Sequence, residues 1–175
     1  MTDATPDPVH DLLVDSFSRV RSLVEDLTTG LTDEVATWRA DDEANPISWL
    51  LWHLTRIQDD HVAGLADVDQ VWPRWRDRFA LPFGPWATGY GQSAAEAGEV
   101  RVPAELLAGY HADVHQLTLS YLEGMDAAEL ARVVDTRWKP PVTAAVRLVS
   151  VLGDTLQHLG QAAYVRGLAT RAGVA

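Results

Sequence analysis

The chain has 175 residues, 47% of them hydrophobic, the size of one domain with a real core. A formal net charge of −11 and a pI near 4.8 argue against contact with phosphate backbones, so no nucleic-acid partner is expected. Because the chain has no cysteine, disulfides, cysteine-ligated zinc and a cysteine nucleophile are excluded, and any thiol chemistry must use a thiol carried in by a small molecule.

No apolar run approaches the roughly eighteen residues a membrane span needs. The segment from Met1 to Pro8 lacks the basic start and apolar centre of a secretory signal, so a cytoplasmic protein with no membrane partner is expected. The apolar periodicity predicts four helices and no convincing strand. The first starts at Asp7-Pro8, an N-cap with proline behind it, and carries Val9, Leu12, Leu13, Phe17, Val20, Leu23, Val24 and Leu27 to a stop at Gly30. The second starts at Asn45-Pro46, runs to about Gly64 or a little beyond, and buries Ile47, Leu50, Leu54, Ile57 and Leu65. His53 falls at the edge of that stripe and His61 nearer its centre, where a core hydrogen bond is expected.

Residues 71–102 break the periodicity but hold Trp72, Trp75, Phe83 and Trp86, too many aromatic side chains for disorder, so an ordered loop packed across the domain is expected. The third helix runs from Pro103 to Gly124 with Leu106, Leu107, Tyr110, Val114, Leu117 and Tyr121 inward. The fourth runs from Thr143 to about Thr170 with Leu148, Val151, Leu152, Leu156, Leu159 and Ala163 inward, and its Gly160 suits a close helix approach. The reading is an all-α, up-down four-helix bundle forming a single domain over residues 1–175, with a long aromatic-rich irregular connection between helices 2 and 3.

Asp154 and His158 are spaced i, i+4, which stacks a carboxylate and an imidazole on one helix face. With His53 they form a candidate metal set for zinc, nickel or iron(II) that leaves coordination positions open. The competing reading makes them hydrogen-bonded core-edge histidines and a solvated surface acid. His111 and His115 are a rival i, i+4 pair beside the third apolar stripe, read as half-exposed packing residues. Asp59 and Asp60 are read as helix-surface charge or as support for a ligand. Arg74, Arg76 and Arg78 interleave with Trp72 and Trp75, either as a wall for an anionic or aromatic ligand or as a local basic patch. Thr88-Gly-Tyr-Gly91 follows no strand and is not a phosphate loop.

Trp49-Leu-Leu-Trp-His53-Leu, Thr88-Gly-Tyr-Gly91 and His158-Leu-Gly-Gln161-Ala-Ala-Tyr-Val-Arg-Gly167 resemble the DinB-like superfamily of metal-binding four-helix bundles. The similarity is strongest to the actinobacterial branch related to mycothiol-dependent maleylpyruvate isomerase. The resemblance implies one ligand on the second helix and two on the last, which map onto His53, Asp154 and His158. Many members have histidine at position 154, and the isomerase has glutamate, one methylene longer than the aspartate here. The resemblance implies a metal-dependent, thiol-using transferase or isomerase acting on a small electrophile, with zinc, nickel or iron as cofactor and a low-molecular-weight thiol as cosubstrate. Candidate substrate-binding residues are Arg74, Trp75, Arg76 and Tyr90. A non-catalytic small-molecule-binding or stress-response bundle without metal is the alternative, and an iron oxygenase a more distant one. An aromatic-rich bundle is also compatible with a homodimer.

Overall fold

The computed structural model describes residues 7–174, so the reading of Met1 to Pro6 lies outside it. Helix α1 (Pro8–Thr28) starts as expected: the Asp7 carboxylate accepts from the free amides of Val9 and His10, and proline occupies the first helical position. Its buried seam is Leu13, Phe17, Val20, Val24 and Leu27, alternating steps of four and three. Val9, Leu12 and Leu23, expected inside, are exposed, because a helix that meets its neighbours along one seam buries a narrower stripe than its apolar content suggests. A one-and-a-half-turn helix, α2 (Asp33–Thr37), follows.

Helix α3 (Ile47–Ala66) is buried around most of its circumference, polar residues included. Ile57 alone of its predicted stripe is half-exposed. A 3-10 turn (Trp72–Arg74) and two short helices, α4 (Arg76–Phe79) and α5 (Ala94–Ala97), punctuate the long connection. It is ordered as expected: Trp72, Trp75 and Phe79 pack on one another and on Tyr110, with ring centroids 5.2–6.4 Å apart. Helix α6 (Ala104–Glu123) buries Leu107, Tyr110 and Val114 as expected, while Leu106, Leu117 and Tyr121 are half-buried.

After α6 come α7 (Ala127–Ala131) and two short strands, β1 (Val133–Asp135) and β2 (Val142–Thr143), which pair antiparallel. The sequence reading missed this hairpin because two- and three-residue strands carry no measurable period. Helix α8 (Ala144–Arg171) is capped by the Thr143 hydroxyl at the Val146 amide. Its inner face is Leu148, Val151, Thr155, Leu159, Ala162 and Val165, so Thr155 and Ala162 take places expected for Leu156 and Ala163. Leu156, Gly160 and Ala163 line an open apolar groove of about 350 Å³ with Leu23 and Leu27 of α1. Gly160 therefore meets no close helix: a Cβ there would have nothing within 4 Å.

The four long helices form an all-α bundle, with the short hairpin at its side. One end gathers Leu13 and Phe17 of α1, Leu65 of α3, Leu122 of α6, and Leu148 and Val151 of α8. The beginnings of α1 and α8 thus meet the ends of α3 and α6, so the helices run up, down, down, up. The long connection is what carries the chain back to start α6 parallel to α3. At the other end, the Arg166 guanidinium of α8 donates to the carbonyls of Asp26, Leu27 and Thr29, closing the C-terminus of α1. No helix among the described residues is long and apolar enough to cross a membrane.

Candidate metal centre

Helix α3 delivers His53 next to Trp49, four residues earlier, and the two rings stack 4.6 Å apart at 9°. The Trp49 indole N–H donates to Gln92 Oε1 at 2.8 Å, which fixes the stacking plane. His53 is 5% exposed, and its Nδ1 lies 2.5 Å from the Thr88 carbonyl oxygen. A carbonyl only accepts, so Nδ1 carries the hydrogen and Nε2 keeps its lone pair free. Burial pushes the His53 pKa down, with the neighbouring His158 adding to the effect and the Thr88 contact and Asp154 opposing it. The ring is therefore neutral at pH 7, the state in which imidazole binds metal.

Helix α8 packs beside α3 and presents Asp154 and His158 on its α3-facing flank. Asp154 Oδ1 is 3.7 Å from His158 Nε2, so the shorter carboxylate does reach its partner. The His158 Nδ1 is 3.1 Å from Gln161 Oε1 and donates to it. Both imidazoles are thus pinned through Nδ1 to an oxygen and present Nε2, and their rings lie 4.8 Å apart at 55°. One donor atom from each of His53, Asp154 and His158 lies within 4.8 Å of the other two. A tetrahedral zinc with bonds of about 2.0–2.2 Å separates its donors by roughly 3.4 Å, so small side-chain rotations close the set. Asp154 Oδ2 is buried with no hydrogen-bond partner, which leaves carboxylate charge uncompensated at this point. Two imidazole nitrogens and a carboxylate with an unsatisfied oxygen fit a divalent cation.

The loop over the centre is held as firmly as the helices. Gly89 has φ +94°, and a Cβ built there would lie 2.6 Å from His53 Nδ1 and 3.1 Å from Trp52. Only glycine lets the backbone come close enough for the Thr88 carbonyl to reach His53. The sequence reading did not identify Thr88, Gln92 or Gln161 as partners of the centre. Gln161 lies three residues after His158, a spacing that signals a helical contact. The Thr88 contact is made by main chain and leaves no trace in residue type.

The remaining candidates sit elsewhere. Trp75 is buried against Tyr110 and donates its indole N–H to Asp113 at 3.0 Å, with Arg78 over its ring. Arg76 is bonded to Asp77, and Arg74 is exposed in the same segment. Tyr90 is 89% exposed on the loop that carries Thr88. The structure therefore brings the three candidate ligands together, and of the four candidate substrate contacts only Tyr90 lies on the loop that touches them, through Thr88. Asp59 is not surface charge: it is fully buried and accepts from the amides of Val71 and Trp72. His61 is not a core donor either; it is partly exposed, with Nδ1 3.5 Å from Asp60, on a flank of α3 that reaches solvent.

His111 and His115 are buried, contrary to the half-exposed expectation, because α6 packs on both α1 and α3 and its inner face is wider than one stripe. Burial, with Arg21 and His115 adding to it, holds the His111 pKa down to about 3. In the unfolded chain the ring titrates near 6.5, so the unfolded state binds the extra proton in the window between the two values and stability falls as pH falls through it. Moving from pH 7.5 to pH 5 should cost about 2 kcal/mol from His111 alone, read by urea unfolding. A folded-state His111 resonance titrating near neutrality would contradict this.

The mostly helical bundle is that of a DinB-like protein. A family model described as mycothiol-S-transferase matches residues 12–170, and the chain belongs to that family. Among solved structures it is similar to a conserved protein from Enterococcus faecalis, with 32% identity, 92% of this chain and 96% of that chain covered, and a TM-score of 0.85. No curated protein matches the chain.

Proposed function

We propose that this protein is a metal-dependent thiol S-transferase: it takes a low-molecular-weight thiol of mycothiol type and joins its sulfur to a small electrophilic substrate. The observation that carries the reading is the convergence of His53, Asp154 and His158 in a chain that has no cysteine of its own. Zinc is the cation these nitrogen and carboxylate donors suit best, with nickel or iron(II) as alternatives; when bound, the ion supplies the positive charge that stabilises a thiolate near neutral pH. His53 and His158 offer Nε2 because Thr88 and Gln161 hold their Nδ1 hydrogens. Trp49 covers one face of His53 and keeps bulk water from that side. In the transfer the sulfur forms a bond to the electrophilic carbon while the displaced group leaves with its bonding electrons. With an activated double bond, addition and elimination of the same sulfur would instead give isomerisation.

Tyr90 on the loop rim is a proposed contact for the substrate. Arg76 lines a separate surface hollow with Phe83 and Pro85 and is already paired with Asp77, so it is not assigned to the substrate. Arg74 and Trp75 carry no role in this reading. The test is element analysis of tag-free protein grown with zinc, nickel and iron available, followed by mass spectrometry of a mycothiol-type thiol incubated with an alkyl halide. One ion per chain and a chelator-sensitive conjugate are expected. Absence of stoichiometric metal would refute the proposal, and metal without conjugation would point to a non-catalytic binding protein.

A further inference from the structure

Arg56 lies three residues after His53 on α3 and is fully buried. Its Nε donates to the Ala87 carbonyl at 3.0 Å. Its Nη1 reaches Gln70 Oε1 at 3.0 Å, the Tyr110 hydroxyl at 3.1 Å and Asp59 Oδ2 at 3.3 Å, and the guanidinium stands 5.0 Å over the Trp72 ring. Asp59 is equally buried and accepts from the Tyr110 hydroxyl at 2.7 Å and from the Val71 and Trp72 amides at 2.8 Å. Trp72 in turn donates its indole N–H to the Pro85 carbonyl at 3.0 Å.

A buried ion pair contributes little net stability, because desolvation offsets most of the attraction and apolar side chains of similar volume do as well. What this pair provides is geometry. Every hydrogen bond that it makes outside α3 goes to Tyr110 or to the connection between α3 and α6. The Ala87 carbonyl is one peptide before the Thr88 carbonyl, which holds the Nδ1 hydrogen of His53. Without that grip the peptides at 87 and 88 are free to rotate, and the Thr88 oxygen no longer faces the imidazole.

We propose that Arg56 is a positioning residue for the metal centre: by fixing the peptide at Ala87 it aims the Thr88 carbonyl and so keeps His53 in the tautomer that presents Nε2. This rests on the metal-centre reading, yet its first consequence is visible in metal-free protein. Lysine keeps the positive charge beside Asp59 but has one ammonium where arginine has a planar fork, so it cannot serve Asp59, Tyr110, Gln70 and Ala87 together.

The test compares wild type with Arg56→Lys by imidazole ¹⁵N chemical shifts of the metal-free protein and by cobalt(II) titration. Wild-type His53 should be hydrogenated at Nδ1, and Arg56→Lys should show a mixture of tautomers. Cobalt affinity should fall ten- to a hundredfold, in the range of lost outer-shell contacts. His158, pinned independently by Gln161, should stay unchanged and reports that the bundle is intact. If Arg56→Lys does not fold, Tyr110→Phe loosens the same clamp without removing a charge and should lower affinity threefold or more. An unchanged His53 tautomer in whichever variant folds overturns the proposal. A wild type that takes up no cobalt refutes the metal reading instead, while the tautomer comparison still decides the role of Arg56.

Discussion

His53→Ala is expected to reduce bound metal to background and lower affinity by more than a hundredfold, with thiol transfer lost in parallel. Losing an outer contact to a ligating histidine costs about ten- to a hundredfold in affinity, and removing a ligand outright should exceed that. With only three protein donors in the set, two remain after the substitution, and they sit on one helix with nothing opposite. The alanine also uncouples Trp49, which stacks on the imidazole at 4.6 Å, and leaves the Thr88 carbonyl without its donor. Some loss of stability is therefore expected along with the loss of metal, and Asp154→Asn separates the two. It keeps the shape of the side chain but removes the charge from a position whose Oδ2 already lacks a partner, so it should weaken the metal while leaving the fold as stable or more so. Equilibrium dialysis and thermal unfolding of the two variants check this. Retention of tight metal by His53→Ala would place the ion elsewhere.

Gly89→Ala should be nearly as damaging although it touches no ligand atom directly. Its φ of +94° is strained for any residue with a Cβ, at about 1–2 kcal/mol. The added carbon would then stand 2.6 Å from His53 Nδ1, so either the imidazole or the loop must move. The expected outcome is a folded protein, destabilised by roughly 2 kcal/mol or more, that binds metal at least tenfold more weakly. Gly91→Ala is the control: its φ of +75° carries similar strain, but a Cβ there would meet nothing within 4 Å. Equal metal affinity in the two variants would show that the close approach at Gly89 does not matter.

The four long helices were readable because their apolar residues keep one period over about twenty residues, and their ends are marked by Asp7-Pro8, Pro103 and Gly124. Which residues of each stripe are buried was less readable. Leu156 and Ala163 lie on the α1 side of α8 and stay open, whereas Thr155 between them and the core is buried, because facing helices rather than side-chain polarity set the seam. The three candidate ligands followed from spacing on α8 and from likeness to known bundles. Asp59, Arg56 and His111 were misjudged or passed over because a charged or polar residue in a helix reads as surface; the packed connection buries Arg56 and Asp59, and the packing of α6 on α1 and α3 buries His111. Thr88 shows the limit most plainly, since its contribution is a carbonyl that every residue type possesses.

The two pins behind the imidazoles differ in origin, and this has an evolutionary corollary. One codon change removes the amide at Gln161, so the hold on His158 depends on residue identity at that position. The oxygen at position 88 belongs to the backbone and survives any substitution there, which makes the His53 side of the centre heritable through loop conformation rather than through residue identity.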